Sequence, residues 1–232
     1  MSVAAIFLAA VAAIIVWWLA QQRLASRPWL EIGHAHDRRT GTPPPAAKIG
    51  LGVFLAVVGA LFSLAISAYF MRMASSDWGT LPLPGLLWVN TGILAMGSIA
   101  LHWAKVETER RHDETTRTAL LAALATGLAF LVGQLFAWRE LTAAGYLLAG
   151  NPANSFFYLL TGMHGLHIVG GLVALGRLTF RAWEGPLDRR TRLTVELCAI
   201  YWHFMLFVWL VLFALFSGWA SDVVDFCRQL LT

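Results

Sequence analysis

Long apolar runs alternate with short polar segments along the whole chain of 232 residues. Each run is close to the roughly 20 residues that an α-helix needs to cross about 30 Å of hydrocarbon. The pattern predicts an all-α integral membrane protein, built as a bundle of six transmembrane helices. We place the spans at about 3–20, 49–71, 84–104, 118–138, 155–176 and 194–217.

The first run needs separate treatment because a secretory signal peptide is also apolar. No basic residue precedes the run 3–20, and its far flank carries Trp17 and Trp18 followed by Arg23. Interfacial aromatic side chains followed by a charge are typical of a membrane-spanning helix. We therefore expect a retained transmembrane helix. The chain is 58% hydrophobic and 13% charged, and the six spans leave no room for a separate soluble domain.

Basic residues are unevenly distributed between the two sides of the predicted bundle. Five lie in segment 21–48, four in segment 105–117 and five in segment 177–192, whereas the opposite side has only Arg72, Arg139 and Arg228. Because cytoplasmic loops carry the excess of Lys and Arg, the three basic loops are predicted to be cytoplasmic and both termini to lie on the outer (periplasmic) side. The net charge of +4 then reports topology, and nucleic-acid binding is not needed to explain it.

Ser155 to Leu175 is long enough to span a bilayer, yet it carries His164, His167 and four glycines. Intramembrane ionisable side chains are costly and usually face protein or water. A spacing of three places both imidazoles near one face of a helix. Glycines let a second helix approach closely. This helix is therefore predicted to pack inside a larger assembly.

The sequence contains no HExxH, P-loop or nucleophile-elbow pattern. Cys198 and Cys227 form no CxxC pair, and we expect no disulfide between them. Spacing alone leaves two hypotheses for the histidines, a metal or haem centre or hydrogen bonds that hold helices together, and it favours the second. The strong polar candidates within the membrane are His164, His167, His203, Glu196 and Gln134.

Two C-terminal motifs carry a family resemblance. FFYLLTGMHGLHIVGGLVAL, at 156–175, and VELCAIYWHFMLFVWLVLF, at 195–213, closely resemble the last two helices of subunit III of the haem–copper oxidases. The resemblance extends back through Lys48 to Phe70, Leu81 to Thr91 and Gln134, and it covers about residues 47–218. The resemblance marks a five-helix core over 47–218. The apolar and charge pattern adds an N-terminal helix and basic loop over 1–46 and leaves a short outer tail over 219–232.

The resemblance further implies a non-catalytic core subunit of a respiratory terminal oxidase of the cytochrome c oxidase type. Haem and copper are then expected in the catalytic subunit I, and this chain is expected to stabilise that partner, to bind phospholipid and to hold no metal. The implied location is the bacterial inner membrane, and the implied partners are subunit I, other oxidase subunits and membrane lipids. The residues matched to lipid or helix-packing contacts are His164, His167, Glu196, Tyr201, Trp202, His203 and Gln134.

Charge and position, independently of the resemblance, suggest Arg177, Arg181 and Arg192 as partners for anionic headgroups. The chain also departs from the family pattern. Apolar residues replace three intramembrane acids, at Val57 or Val58, at Met205-Leu206 and at Ala137. These departures leave open an accessory subunit of a quinol oxidase or a nitric oxide reductase. A self-contained redox protein using His164, His167 and His203 and a small transporter are the remaining alternatives.

Overall fold

Each of the five later apolar runs forms one long helix in the computed structural model. The structure describes residues 46–73, 75–79, 81–185 and 187–218. All five helices are long and apolar enough to cross a membrane, which confirms the all-helical membrane class for the described residues. The predicted span 3–20 and the predicted tail 219–232 lie outside the described residues, so the six-helix count and the position of the termini stay predictions. The helices are α1 (Ala46–Met73), α2 (Leu86–Glu109), α3 (Asp113–Ala143), α4 (Pro152–Glu184) and α5 (Arg189–Phe216).

The chain divides into two compact units, Met1–Phe70 and Met71–Thr232. In the first unit, α1 buries residues three or four apart, which places them on one face of the helix. Val58 belongs to this buried face, whereas the neighbouring Val57 is exposed. The buried face consists of Gly52, Leu55, Val58, Phe62, Ile66 and Tyr69.

The second unit is a four-helix bundle formed by α2 to α5. Each helix packs against two others, in the ring α2–α3–α4–α5–α2. The α2–α3 connection is a tight turn in which Arg111 adopts a φ of 63°. Short connections make consecutive helices antiparallel. The end of α2, the start of α3, the end of α4 and the start of α5 therefore lie together, and we call this the basic end of the bundle.

Local sequence signals explain where the helices begin. Asn151 caps α4 by accepting a hydrogen bond from the Asn154 N–H at 2.9 Å, and Pro152 occupies the first turn, where a missing N–H costs nothing. Asp188 caps α5 in the same way, accepting from the Thr191 N–H at 2.7 Å. The first turn of α3 carries Asp113 and Glu114, which suit the positive end of the helix dipole.

Candidate functional site

Trp202 of the YWHF motif lies at the centre of the four-helix bundle and is 1% exposed. Its indole rests against one glycine from each of the other three helices. A methyl group on Gly97 of α2 would lie 3.2 Å from Trp202 Nε1, one on Gly127 of α3 would lie 2.8 Å from Cζ2, and one on Gly171 of α4 would lie 3.1 Å from Cζ3. The three glycines thus form a socket that receives the largest side chain, and a Cβ atom at any of them would crowd the Trp202 ring.

A second layer lies two turns further along α5, around Trp209. Three rings from three helices meet there: the Phe130 and Trp209 centroids are 5.0 Å apart, those of His164 and Trp209 are 5.1 Å apart, and those of Phe130 and His164 are 5.6 Å apart. The Trp209 Nε1–H donates to Thr91 Oγ1 of α2 at 2.9 Å. This layer therefore also joins all four helices. We refer to the Trp202 and Trp209 layers together as the tryptophan junction.

Hydrogen bonds to backbone carbonyls link α4 and α5 in both directions. His164 is fully buried, and its Nε2–H donates to the Met205 carbonyl at 3.1 Å. The Tyr201 hydroxyl donates in return to the His167 carbonyl at 2.6 Å. Because a carbonyl can only accept, the proton of the His164 ring that makes this bond must be on Nε2. The two histidines of the HGLH motif are thus used differently, one by its ring and one by its backbone.

The His167 ring itself bonds within its own helix, since Nδ1–H donates to the Met163 carbonyl at 2.8 Å. His203 does the same in α5, where Nδ1–H donates to the Ala199 carbonyl, and its side chain is exposed. Glu196 is half-buried on the same helix. Among the described residues, no group of three or more His, Cys, Asp and Glu side chains is placed to hold a metal ion. The described part of the chain therefore does not assemble the alternative three-histidine metal centre.

Gln134 lies in the bundle interior, 3% exposed, and Asn90 is 0% exposed. The Asn90 amide rests against Gly133, where a methyl group would lie 2.0 Å from Asn90 Oδ1. Neither amide makes a side-chain hydrogen bond within the described ranges. Ala137, where the family pattern has an acid, is completely buried. A carboxylate at position 137 would therefore need an additional partner.

Arginines at the basic end bind the carbonyl groups at helix ends. Arg117, in the first turns of α3, donates from Nε to the Ala182 carbonyl at 2.7 Å and from Nη2 to the Gly185 carbonyl at 3.1 Å. Arg192 of α5 donates to the carbonyls of Leu187 at 3.0 Å and Thr108 at 3.2 Å. Each arginine supplies donors that the last turn of a neighbouring helix lacks. The count of basic residues in each loop does not distinguish Arg117 from its neighbours.

The three headgroup candidates differ in what they contact. Arg177 and Arg181 are exposed one turn apart on α4, whereas the Arg192 guanidinium already bonds two backbone carbonyls. The buried polar side chains of the described part include one carboxylate, Glu107, which pairs with Arg110 and His112 at the basic end. The tryptophan junction brings together aromatic rings, glycines and His164, whose ring N–H donates to a backbone carbonyl. Such an arrangement can hold the four helices in fixed positions relative to each other.

The sequence is similar to those of known proteins, and these similarities identify the family of the chain. The profile of cytochrome c oxidase subunit III matches residues 48–221. The chain is 30% identical over 191 residues to cytochrome c oxidase subunit 3 of Thermostichus vulcanus, covering 80% of this chain and 91% of that one. It is 32% identical over 192 residues to the same subunit of a Synechocystis species, covering 79% of each.

A longer relative joins two subunits in one chain. The heme-copper oxidase subunit I+III of Aeropyrum pernix is 30% identical over 191 residues, which are 75% of this chain and 23% of that protein. The range 48–221 that the subunit III profile matches includes both quoted motifs, all four helices of the tryptophan junction and the whole of the described basic end. The chain belongs to the cytochrome c oxidase subunit III family, and it is a non-catalytic, membrane-integral subunit of a haem–copper oxidase.

Proposed function

We propose that this chain binds the catalytic subunit I of its oxidase within a bacterial inner membrane and stabilises it there. The observation that carries the proposal is the fused relative, because subunits I and III of that protein are parts of one chain and are therefore kept together in one membrane. Haem and copper would reside in the partner. A bundle held rigid by the tryptophan junction suits the stabilisation of subunit I, since a rigid surface can constrain a neighbouring subunit during turnover.

We further propose that phospholipid binds along α4. An exposed apolar stripe runs along this helix and ends at the two exposed arginines of the basic end. Acyl chains suit the stripe, and anionic headgroups suit Arg177 and Arg181, since each basic side chain near a membrane surface contributes about 1 kcal/mol. Arg192 is a weaker candidate because its guanidinium is already hydrogen-bonded. The stripe consists of Leu159, Leu166, Val169, Val173 and Phe180.

Purification of the oxidase tests the first proposal. A tag on this chain should bring down a larger haem-bearing subunit, and the haem should stay with that subunit when the chains are separated. An oxidase that lacks this chain should lose activity in fewer turnovers than the complete enzyme. Recovery of the chain without a haem-bearing partner, or equal lifetimes of the two enzyme forms, would contradict the proposal.

Lipid analysis tests the second proposal. The double variant Arg177→Ala/Arg181→Ala should co-purify with less anionic phospholipid, measured by mass spectrometry per mole of haem. Arg139→Ala is the matched control, because Arg139 is an exposed arginine near the opposite end of the bundle and should leave the lipid content unchanged. Equal lipid content in the double variant and the wild type would remove the two arginines as headgroup ligands.

A further inference from the structure

Two exposed histidines from different helices face each other on the surface of the four-helix bundle. His102 of α2 and His203 of α5 have ring centroids 5.7 Å apart, with the ring planes at 65°. Both side chains are exposed, although the helices around them present mainly apolar residues, such as Ile99 and Phe207. An ionisable side chain at such a position indicates a function more often than a surface histidine in a soluble protein does.

The antiparallel arrangement of α2 and α5 explains why the two imidazoles meet. Hydrogen bonds between Arg192 and Thr108 and between Trp209 and Thr91 set the register of the two helices. His102 lies about five residues nearer the basic end than His203 in this register. Side chains of a helix lean toward its N-terminus. The two side chains therefore lean toward each other, and the rings converge between the helices.

The hydrogen bond of His203 determines which ring nitrogen is available. Its Nδ1–H donates to the Ala199 carbonyl, so in the neutral ring Nε2 carries the lone pair. A backbone carbonyl that fixes the other ring nitrogen is the usual support of a metal-binding histidine. His164 differs, because its Nε2–H is used for the bond to Met205 inside the bundle. Within the described residues, neither His102 nor His203 donates to a backbone carbonyl of another helix.

The distance between the rings fits a shared cation. A zinc–nitrogen bond is about 2.0–2.1 Å long and the ring centre lies about 1.2 Å beyond the nitrogen, so each centre lies about 3.2 Å from the metal. A tetrahedral angle then separates the two centres by about 5.2 Å, and a wider angle separates them further. The observed centroid distance of 5.7 Å falls within this range. Imidazole pairs suit Zn²⁺, Cu²⁺ and Ni²⁺.

We propose that His102 and His203 form a two-histidine binding site for a borderline divalent cation such as Zn²⁺, which bridges α2 and α5. The described residues supply no third His, Cys, Asp or Glu ligand, so water or another small ligand completes the coordination. The site differs from the three-histidine centre considered from the sequence, and it does not depend on the proposed lipid contacts. Metal binding there would tie two helices of the bundle at their surface.

Zinc binding to the intact oxidase tests the proposal. The complex, purified through a tag that contains no histidine, is stripped with a chelator, equilibrated with Zn²⁺ and freed of excess metal. Zinc per haem is then measured by plasma mass spectrometry. His102→Ala and His203→Ala should each lose one zinc equivalent, and their affinity for this zinc should fall at least about tenfold, the minimum seen on loss of a supporting group. His112→Ala, an exposed histidine in the α2–α3 turn, should bind zinc like the wild type.

Thermal unfolding gives a readout that does not depend on metal counting. Zn²⁺ should raise the unfolding midpoint of the wild type and the His112→Ala variant but not that of either site variant, because the metal binds only the folded, paired helices. If an alanine variant fails to assemble with the haem-bearing subunit, His102→Gln and His203→Gln replace the alanine variants in both measurements. Zinc content and midpoint shifts equal to the wild type in the site variants would overturn the proposal. A loss of anionic phospholipid with unchanged zinc would assign the pair to a lipid phosphate instead and would equally overturn it.

Discussion

The middle of the four-helix bundle and its basic end are held together by different physical means. In the middle, Trp202 fills a socket of three glycines, and close contact of rings and backbones joins the helices. At the basic end, Arg117 and Arg192 reach across to the last carbonyls of neighbouring helices. The middle combines close packing with a few hydrogen bonds between helices, such as that of Trp209 with Thr91, whereas the end depends on hydrogen bonds from arginines.

The environment accounts for the difference. Lipid is as apolar as a leucine side chain, so burial within the membrane gives little hydrophobic gain, and tight packing must supply the attraction between helices. The last carbonyls of a helix have no partner within the helix. A long side chain with five donors can satisfy carbonyls of an adjacent helix where the chain turns back. Substitutions in the two regions should therefore fail for different reasons.

The largest effect is expected from Trp202→Ala. Removal of a buried aromatic side chain leaves a cavity and typically costs about 3–5 kcal/mol, and the three glycines have no side chains that could move into the space. The free energy of unfolding, followed by denaturation in mixed detergent micelles, should fall by this amount. Trp88→Ala is the control, because Trp88 is 65% exposed. Equal losses in the two variants would contradict a special role for the socket.

Arg117→Ala should give the next largest loss. The Arg117 guanidinium donates to two carbonyls, and hydrogen bonds that involve a charged group contribute about 1.5–3 kcal/mol. Arg189→Ala should change the free energy of unfolding by less than about 0.5 kcal/mol, because Arg189 is exposed at the same end. Arg117→Lys should restore little of the lost free energy of unfolding, since an ammonium group cannot donate to two carbonyls in the planar, forked geometry of a guanidinium. Full rescue by lysine would show that charge alone acts there.

Two adjacent glycines provide the most closely matched test of the middle. A methyl group on Gly171 would lie 2.6 Å from Cε1 of Tyr201, whereas one on Gly170 would meet nothing within 4 Å. Gly171→Ala should therefore destabilise the chain by about 1–3 kcal/mol through overpacking. Gly170→Ala should be neutral or stabilising by up to about 1 kcal/mol, as alanine favours helix. The same unfolding assay decides between them, and equal responses would contradict the packing at Gly171.

The smallest effect concerns the N-cap of α5 at the basic end. Hydrogen bonds from Thr191 hold the pKa of Asp188 below its ordinary value of 3.8. A lowered pKa in the folded state stabilises the protein above the ordinary value, and this contribution is lost as the pH falls through the folded value. The unfolding midpoint of the wild type should thus fall more steeply in acid than that of Asp188→Asn, which keeps an acceptor but does not titrate. Parallel pH profiles would contradict this contribution.

The candidate site could be predicted only in part. The motifs identified His164, Tyr201 and Trp202 because they combine costly polar or bulky side chains with glycines. No motif identified Arg117, because an arginine that bonds a helix end has the same composition signal as one in solvent. His102 was equally unmarked, since its neighbour His203 is 101 positions away in the sequence and only the helix register brings them together.

Apolar runs near the length of a membrane determined the helices by themselves, because a backbone in hydrocarbon must satisfy its hydrogen bonds internally. The five described helices correspond to five of the six predicted spans. The two C-terminal motifs likewise determined the family. Tertiary structure alone decided which glycines receive Trp202, which carbonyls bind Arg117 and which histidines face each other. Those contacts depend on the rotation and register of each helix, and the apolar pattern of a membrane helix, which is hydrophobic on all sides, leaves both undetermined.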